Sequence, residues 1–168
     1  HGDPGIDVKT AMVGIDIDAS ELLAIDRLNG RGAKKVDLAI AHHPQGEALA
    51  HLADVMKMQA DLFHQAGVPI NIAEGLVDER MKEVSRRLHA ANHQRPVDMA
   101  RLLGIPFLCM HTPADNHVVS YLDGLLAKKK PATVKDFMNI LMGIEEYRIS
   151  SREQVSPSIL FGAASTRC

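Results

Sequence analysis

Residues 36–46, VDLAIAHHPQG, decide how this chain is read. Val36, Leu38, Ala39, Ile40 and Ala41 make an apolar run that reads as a buried strand, and it leads straight into two adjacent histidines and a proline. Proline has no N–H to give to a strand ladder, so the strand leaves the sheet at Pro44. His42 and His43 then fall at its carboxyl end, where open α/β sheets place their ligands. Neighbouring residues on a regular strand point to opposite faces. The two imidazoles therefore converge on one site only where the backbone turns, as Pro44 makes it do, or else each serves a different ion of a pair. Two ordinary loop histidines, one bonded to backbone and one solvated, fit the same letters, because histidine is often exposed.

A second stretch repeats the design. Residues 105–116, IPFLCMHTPADN, carry the apolar run Ile105, Phe107, Leu108, Cys109 and Met110, followed by His111, Pro113 and Asp115. Two strand ends that both finish in His and Pro, the second adding a carboxylate, supply the nitrogen and oxygen ligands expected for zinc, iron or manganese. Cys109 shares a strand face with His111 by period 2 and is a conceivable ligand partner, but a free Cys is more often core filling.

VGIDID at 13–18, AIAHHP at 39–44 and CMHTPADN at 109–116 together resemble the Nif-three-like family (NGG-interacting factor three, also type-2 GTP cyclohydrolase-like), over roughly residues 12–126. The resemblance implies an α/β fold, a dinuclear centre of divalent ions and ring-shaped homo-oligomers. It implies His42, His43 and Asp115 as metal ligands, with His111 beside them; His111 is read either as a supporting residue behind the ligands or as a proton shuttle. The family's two remaining ligands, a His and an acidic residue near the carboxyl end, have no counterpart after Tyr147, and residues 67–103 form a longer segment than in the commoner members. Three protein ligands do not fill two transition-metal shells. The chain is accordingly expected to be the N-terminal and central part of a longer two-lobed protein, and to hold metal incompletely.

Length and composition agree with one α/β domain over 1–168: 168 residues, 46% of them hydrophobic, are enough for a sizeable core. A formal net charge of −2 gives no support for nucleic-acid or membrane partners. The opening HGDPG lacks a basic segment and a long apolar run, so neither a signal peptide nor a membrane span is expected. Two cysteines, Cys109 and Cys168, make no disulfide framework, and a cytoplasmic setting is the expectation.

In chain order, Val13, Ile15 and Ile17 alternate with Asp16 and Asp18 as a first strand with acidic residues toward its end. Asp18-Ala-Ser-Glu21 reads as a capping box for a helix through Leu28, stopped by Asn29-Gly30. Asp16 has two readings of equal weight, a site carboxylate or a turn residue. Residues 47–66 read as one helix covering the sheet through Leu49, Leu52, Ala53, Met56, Ala60 and Phe63, with His51 and His64 at its surface. Pro69 makes 68–72 an edge strand or a helix lead-in, ahead of a charged helix over 74–91. Asn92, His93 and Arg95 read as a loop, or as a grip on an anion through the forked guanidinium. A helix over 97–103 ends at Gly104. A helix over 117–127 is capped by Asn116 or Asp115, with Val118, Tyr121, Leu122 and Leu125 toward the core, and Thr133 with Asp136 caps another. Residues 150–158 read as a polar loop and 159–162 as the start of one more strand.

The fold expected is α/β, a central, mostly parallel sheet with helices on both faces and the motif strands side by side. The function expected is a dinuclear metal-binding protein, a metal-dependent hydrolase of a nucleotide-like or phosphoester substrate, with ions about 3.5–4 Å apart. The alternative is a homo-oligomeric scaffold that holds metal without turnover, and fold alone does not choose between them. A DHH-type phosphoesterase is disfavoured, because Ala41 stands where that motif needs Asp.

Overall fold

Three short strands, β1 (Ala11–Gly14), β2 (Leu38–Ala41) and β3 (Phe107–Cys109), lie side by side in that order and all parallel, in a computed structural model that describes residues 1–32 and 35–168. The helices among the described residues are α1 (Ala19–Gly30), α2 (Glu47–Ala50), α3 (Leu52–Val55), α4 (Met58–Gln65), α5 (Ile70–Leu88), α6 (Arg95–Leu103), α7 (Thr112–Lys129), α8 (Val134–Leu141) and α9 (Glu145–Arg152). The chain is thus mixed α/β, and it divides into two compact units, His1–Ala114 and Asp115–Cys168.

Register sets which side chains face the core of the first unit. Met12, Ala39 and Phe107 share one row across the sheet, and Gly14, Ala41 and Cys109 share the next. Ala39, Ala41 and Phe107 are buried with Ile17, Leu22 and Ile25 of the β1–α1 segment and Ala100 of α6. Small residues at the centre of the sheet let α1 and α6 approach closely. Burying Ile17, Leu22 and Ile25, all essentially inaccessible, contributes about 1.5–3 kcal/mol per side chain. The opposite row carries Val13, Ile40 and Leu108, and Val13 is 70% exposed. The expected strand through Asp18 is therefore shorter and of opposite parity. It stops at Gly14, leaves Val13 and Ile15 exposed and buries only Ile17, which folds back under the strand end. A Cβ on Gly14 would stand 2.9 Å from Ile17 Cδ1 and 3.0 Å from the Asp16 carbonyl oxygen, so a larger residue there would make the Ile17 side chain shift.

Helix α1 starts as its residues dictate. Asp18 caps it, the Asp18 N–H donates to Glu21 Oε2 at 2.8 Å, and the reciprocal capping box is complete. At its far end Asn29 accepts from the Val36 N–H at 2.7 Å and donates to the Val36 carbonyl at 3.1 Å, tying the helix to the lead-in of β2.

The single helix expected over 47–66 is three pieces, α2, α3 and α4, broken at His51 and again at Met56 and Lys57. It does not cover the sheet. Ala60 of α4 packs with Ala73 and Val77 of α5 in a separate small core, and Phe63 is exposed. Residues 68–72 resolve as a helix lead-in, with Pro69 as the N-cap of α5. The charged face of α5 carries Lys82–Asp78 at 2.6 Å and Arg87–Glu83 at 2.8 Å, solvent-exposed pairs one turn apart. Residues 92–94 precede α6, which begins at Arg95 with Pro96 in its first turn and stops at left-handed Gly104.

Helix α7 is longer than expected. It starts at Thr112, with Pro113 in the first turn, where a missing N–H costs nothing, and none of its residues is fully buried. Val118 and Tyr121 are exposed instead of facing a core. Thr133 and Asp136 form the expected capping box of α8. The polar stretch 150–158 begins inside α9, a helix the sequence pattern does not announce. Residues 159–162 form no strand: the chain returns to the start of α8, where the Val134 N–H donates to the Thr166 carbonyl and the Lys135 N–H to the Ala164 carbonyl, both at 2.9 Å. Leu160 and Phe161 are 94% and 98% exposed. Among the described residues, no helix is long and apolar enough to cross a membrane.

Candidate metal centre

The carboxyl end of β2 does not fray at the histidines. The His42 N–H donates to the Gly14 carbonyl at 2.8 Å and the His43 N–H to the Ile15 carbonyl at 2.9 Å, so both residues, just past the end of β2, stay tied to the end of β1 before Pro44. Beyond β3, the Met110 N–H donates to the Ala41 carbonyl at 2.8 Å and fixes the approach to His111. Three neighbouring backbone segments thereby place three imidazoles together.

Gly46 completes the turn. It holds φ +62° and ψ −133°, donates its N–H to the His93 carbonyl at 2.9 Å and is buried against α6. A Cβ there would lie 2.8 Å from Val97 Cγ2. Only glycine gives both the conformation and the room.

His42, His43 and His111 each offer a ring nitrogen, and these nitrogens all lie within 4.8 Å of one another. The His42 and His111 rings stack with centroids 4.3 Å apart, and His43 lies 5.3 Å from His42 and 5.9 Å from His111. His42 is half-buried and the other two are exposed. Two nitrogens at about 2.0–2.1 Å from one ion are at most about 4.2 Å apart, so small side-chain rotations suffice for this trio to share a cation. The donor chemistry also fits, because imidazole suits zinc, iron and copper-like divalent ions.

His43 has a further partner. Its Nδ1 lies 2.8 Å from Asp16 Oδ1, on the loop between β1 and α1. Asp115 stands in the first turn of α7 and is the first residue of the second unit. Cys109 packs on the core beneath the sheet end, and burial raises its thiol pKa, as expected for core filling.

The remaining candidates have local duties. Arg95 forks onto Asp18, donating from Nε at 3.2 Å and also from its terminal nitrogen, which holds the Asp18 carboxyl below the usual carboxylate range. His64 Nδ1 sits 3.1 Å from the Val68 carbonyl, and His51 pairs with Asp54 at 3.5 Å. His93 Nε2 is buried without a hydrogen-bond partner among the described residues.

A crystal structure of a NIF3 superfamily protein from Sphaerobacter thermophilus superposes on 96% of this chain with a TM-score of 0.79 and 28% sequence identity. The chain is NIF3-like. This NIF3-like chain spans 57% of the length of that relative. Its sequence matches no family model and no curated protein.

Within the NIF3-like fold, the three histidines were legible from their strand ends. The Asp16–His43 bond was not, because 27 residues separate the partners and an IDID pattern does not say which aspartate faces the next strand. The Arg95–Asp18 fork was missed for the same reason, over 77 residues.

Proposed function

We propose that this chain is the metal-binding part of a NIF3-like hydrolase, with a divalent transition-metal ion held by His42, His43 and His111. On the family resemblance, Asp115 is proposed as an oxygen ligand for a second ion. The observation that supports this reading is the convergence of three imidazoles at the ends of adjacent parallel strands, with ring nitrogens within 4.8 Å of one another. Paired strands hold the ligands in place, and the exposure of His43 and His111 leaves the site reachable.

When bound, such an ion supplies Lewis acidity toward a phosphoester or ring bond and makes water nucleophilic near neutral pH. The residues of the chain bind and orient. His42 and His43 are fixed through their own backbone N–H groups, and His111 either completes the ligand set or moves a proton beside it. The proposed substrate class is nucleotide-like or a phosphoester and the proposed assembly is a homo-oligomer, both resting on the family resemblance, while the proposed cytoplasmic setting rests on cysteines that make no disulfide framework.

Elemental analysis of the purified chain after loading with Zn²⁺ or Co²⁺, alongside nucleotide hydrolysis, tests this. His42→Ala and His43→Ala should each lose the metal with the fold retained. His111→Ala losing metal makes it a ligand, and His111→Ala keeping metal without turnover makes it the shuttle. Metal at full occupancy without any hydrolysis would favour a scaffold. Unchanged stoichiometry in all three variants would end the reading.

A further inference from the structure

We infer that Asp16 is a positioning residue of the metal centre: its carboxylate fixes the His43 ring with Nδ1–H toward Asp16, and so presents Nε2 to the ion. The inference rests on the metal-binding reading and adds a residue outside the proposed ligand set.

Geometry carries it. Asp16 Oδ1 and His43 Nδ1 are 2.8 Å apart, a full-strength hydrogen bond, while the Asp16 side chain is otherwise 71% exposed and the His43 ring is about half exposed. An exposed aspartate gains little by ordering itself on an exposed ring for stability alone, because such pairs contribute at most about 1 kcal/mol. The same bond does more for a ligand. A neutral imidazole carries one N–H, and an acceptor at Nδ1 decides that this proton sits there and that Nε2 keeps its lone pair. A carboxylate that fixes the ring orientation in this way is the arrangement common behind metal-bound histidines.

The backbone makes the pair possible. The His43 N–H donates to the Ile15 carbonyl at 2.9 Å, so this backbone bond carries the residue after Ile15 alongside His43. Asp18, two residues on, is engaged by Arg95 and the α1 cap, and Asp16 is the carboxylate left beside the ring.

The test uses the full chain with Co²⁺ alone as probe, titrated into wild type, Asp16→Ala and Asp16→Asn, with ¹⁵N-imidazole spectra of His43 and a melting curve for each. Wild-type His43 should carry its proton on Nδ1, and Nε2 should shift when Co²⁺ is added. Asp16→Ala should weaken Co²⁺ binding about 10–100-fold and lose the Nδ1–H preference, with the melting temperature unmoved. Asp16→Asn, which retains an acceptor oxygen without the charge, should recover the tautomer and part of the affinity. Equal affinity in wild type and Asp16→Ala, or a wild-type His43 protonated on Nε2, overturns the inference and leaves the metal reading standing. A wild-type chain that takes no Co²⁺ overturns both.

Discussion

Arg95 and Asp18 join the first turns of two helices 77 residues apart in sequence. The Asp18 carboxylate caps α1 through the Ala19 N–H at 2.7 Å and at the same time receives the guanidinium at the head of α6. Both helices pack on the same face of the sheet, so the pair fastens the layer that supports β2. Asp18→Ala should cost about 1 kcal/mol, chiefly through the lost cap. Arg95→Ala removes an exposed pair and should cost less than about 1 kcal/mol. Urea unfolding of the two variants and the double variant should show less than additive losses, since both remove the same contact.

Acid should act on the same corner. Hydrogen bonding from Arg95, then from the Ala19 N–H, holds Asp18 below its ordinary range, and the Asp18 N–H does the same for Glu21. A carboxyl with a depressed folded-state pKa binds fewer protons folded than unfolded. Its stabilisation is present above the unfolded value and drains as pH falls through the folded one. The urea midpoint of the wild type should therefore fall from about pH 5 downward, and that of Asp18→Asn should fall less steeply over the same range. Parallel curves for the two proteins would contradict this.

Gly46→Ala meets two obstacles, a left-handed φ of +62° and the Val97 methyl at 2.8 Å. Thermal unfolding should show a loss of about 1–3 kcal/mol. Adding Val97→Ala clears the steric clash and leaves the backbone strain, so it should restore only part of the loss. Complete restoration would show that conformation is unimportant at this turn.

Metal should stabilise the chain by mass action. Zn²⁺ at a hundred times its dissociation constant adds about 2.7 kcal/mol when only the folded state binds it. Differential scanning fluorimetry should show a rise in melting temperature with Zn²⁺ in the wild type, absent in His42→Ala and His43→Ala. An equal rise in those variants would place the ion elsewhere.

Much of this was legible in the sequence because it is written locally. Both capping boxes, the Gly104 stop and the histidines at the strand ends follow from residues within a few positions of one another. What was hidden is non-local or weakly patterned. Residues 47–66 have enough apolar residues for one helix, yet the chain breaks at His51 and packs α4 on α5. The end of α9, Ser150 to Arg152, falls in a polar run that reads as loop. Val13 and Ile15 look like core and are not, because one residue of strand register exchanges the faces, and only the pairing of Met12 with Ala39 fixes it.

The two backbone bonds that tie His42 and His43 to the end of β1 separate two events that many small metalloproteins fuse. Where ligands are scattered on a floppy chain, the cation is the nucleus and its removal denatures the protein. Here the amide protons of both histidines are spent on Gly14 and Ile15, so the imidazole spacing is a property of the polypeptide alone. Chelation should strip the centre and leave its amides as slow to exchange with deuterium as before. Reloading should then proceed at the pace of ion dehydration and ring rotation, with no refolding step in its path.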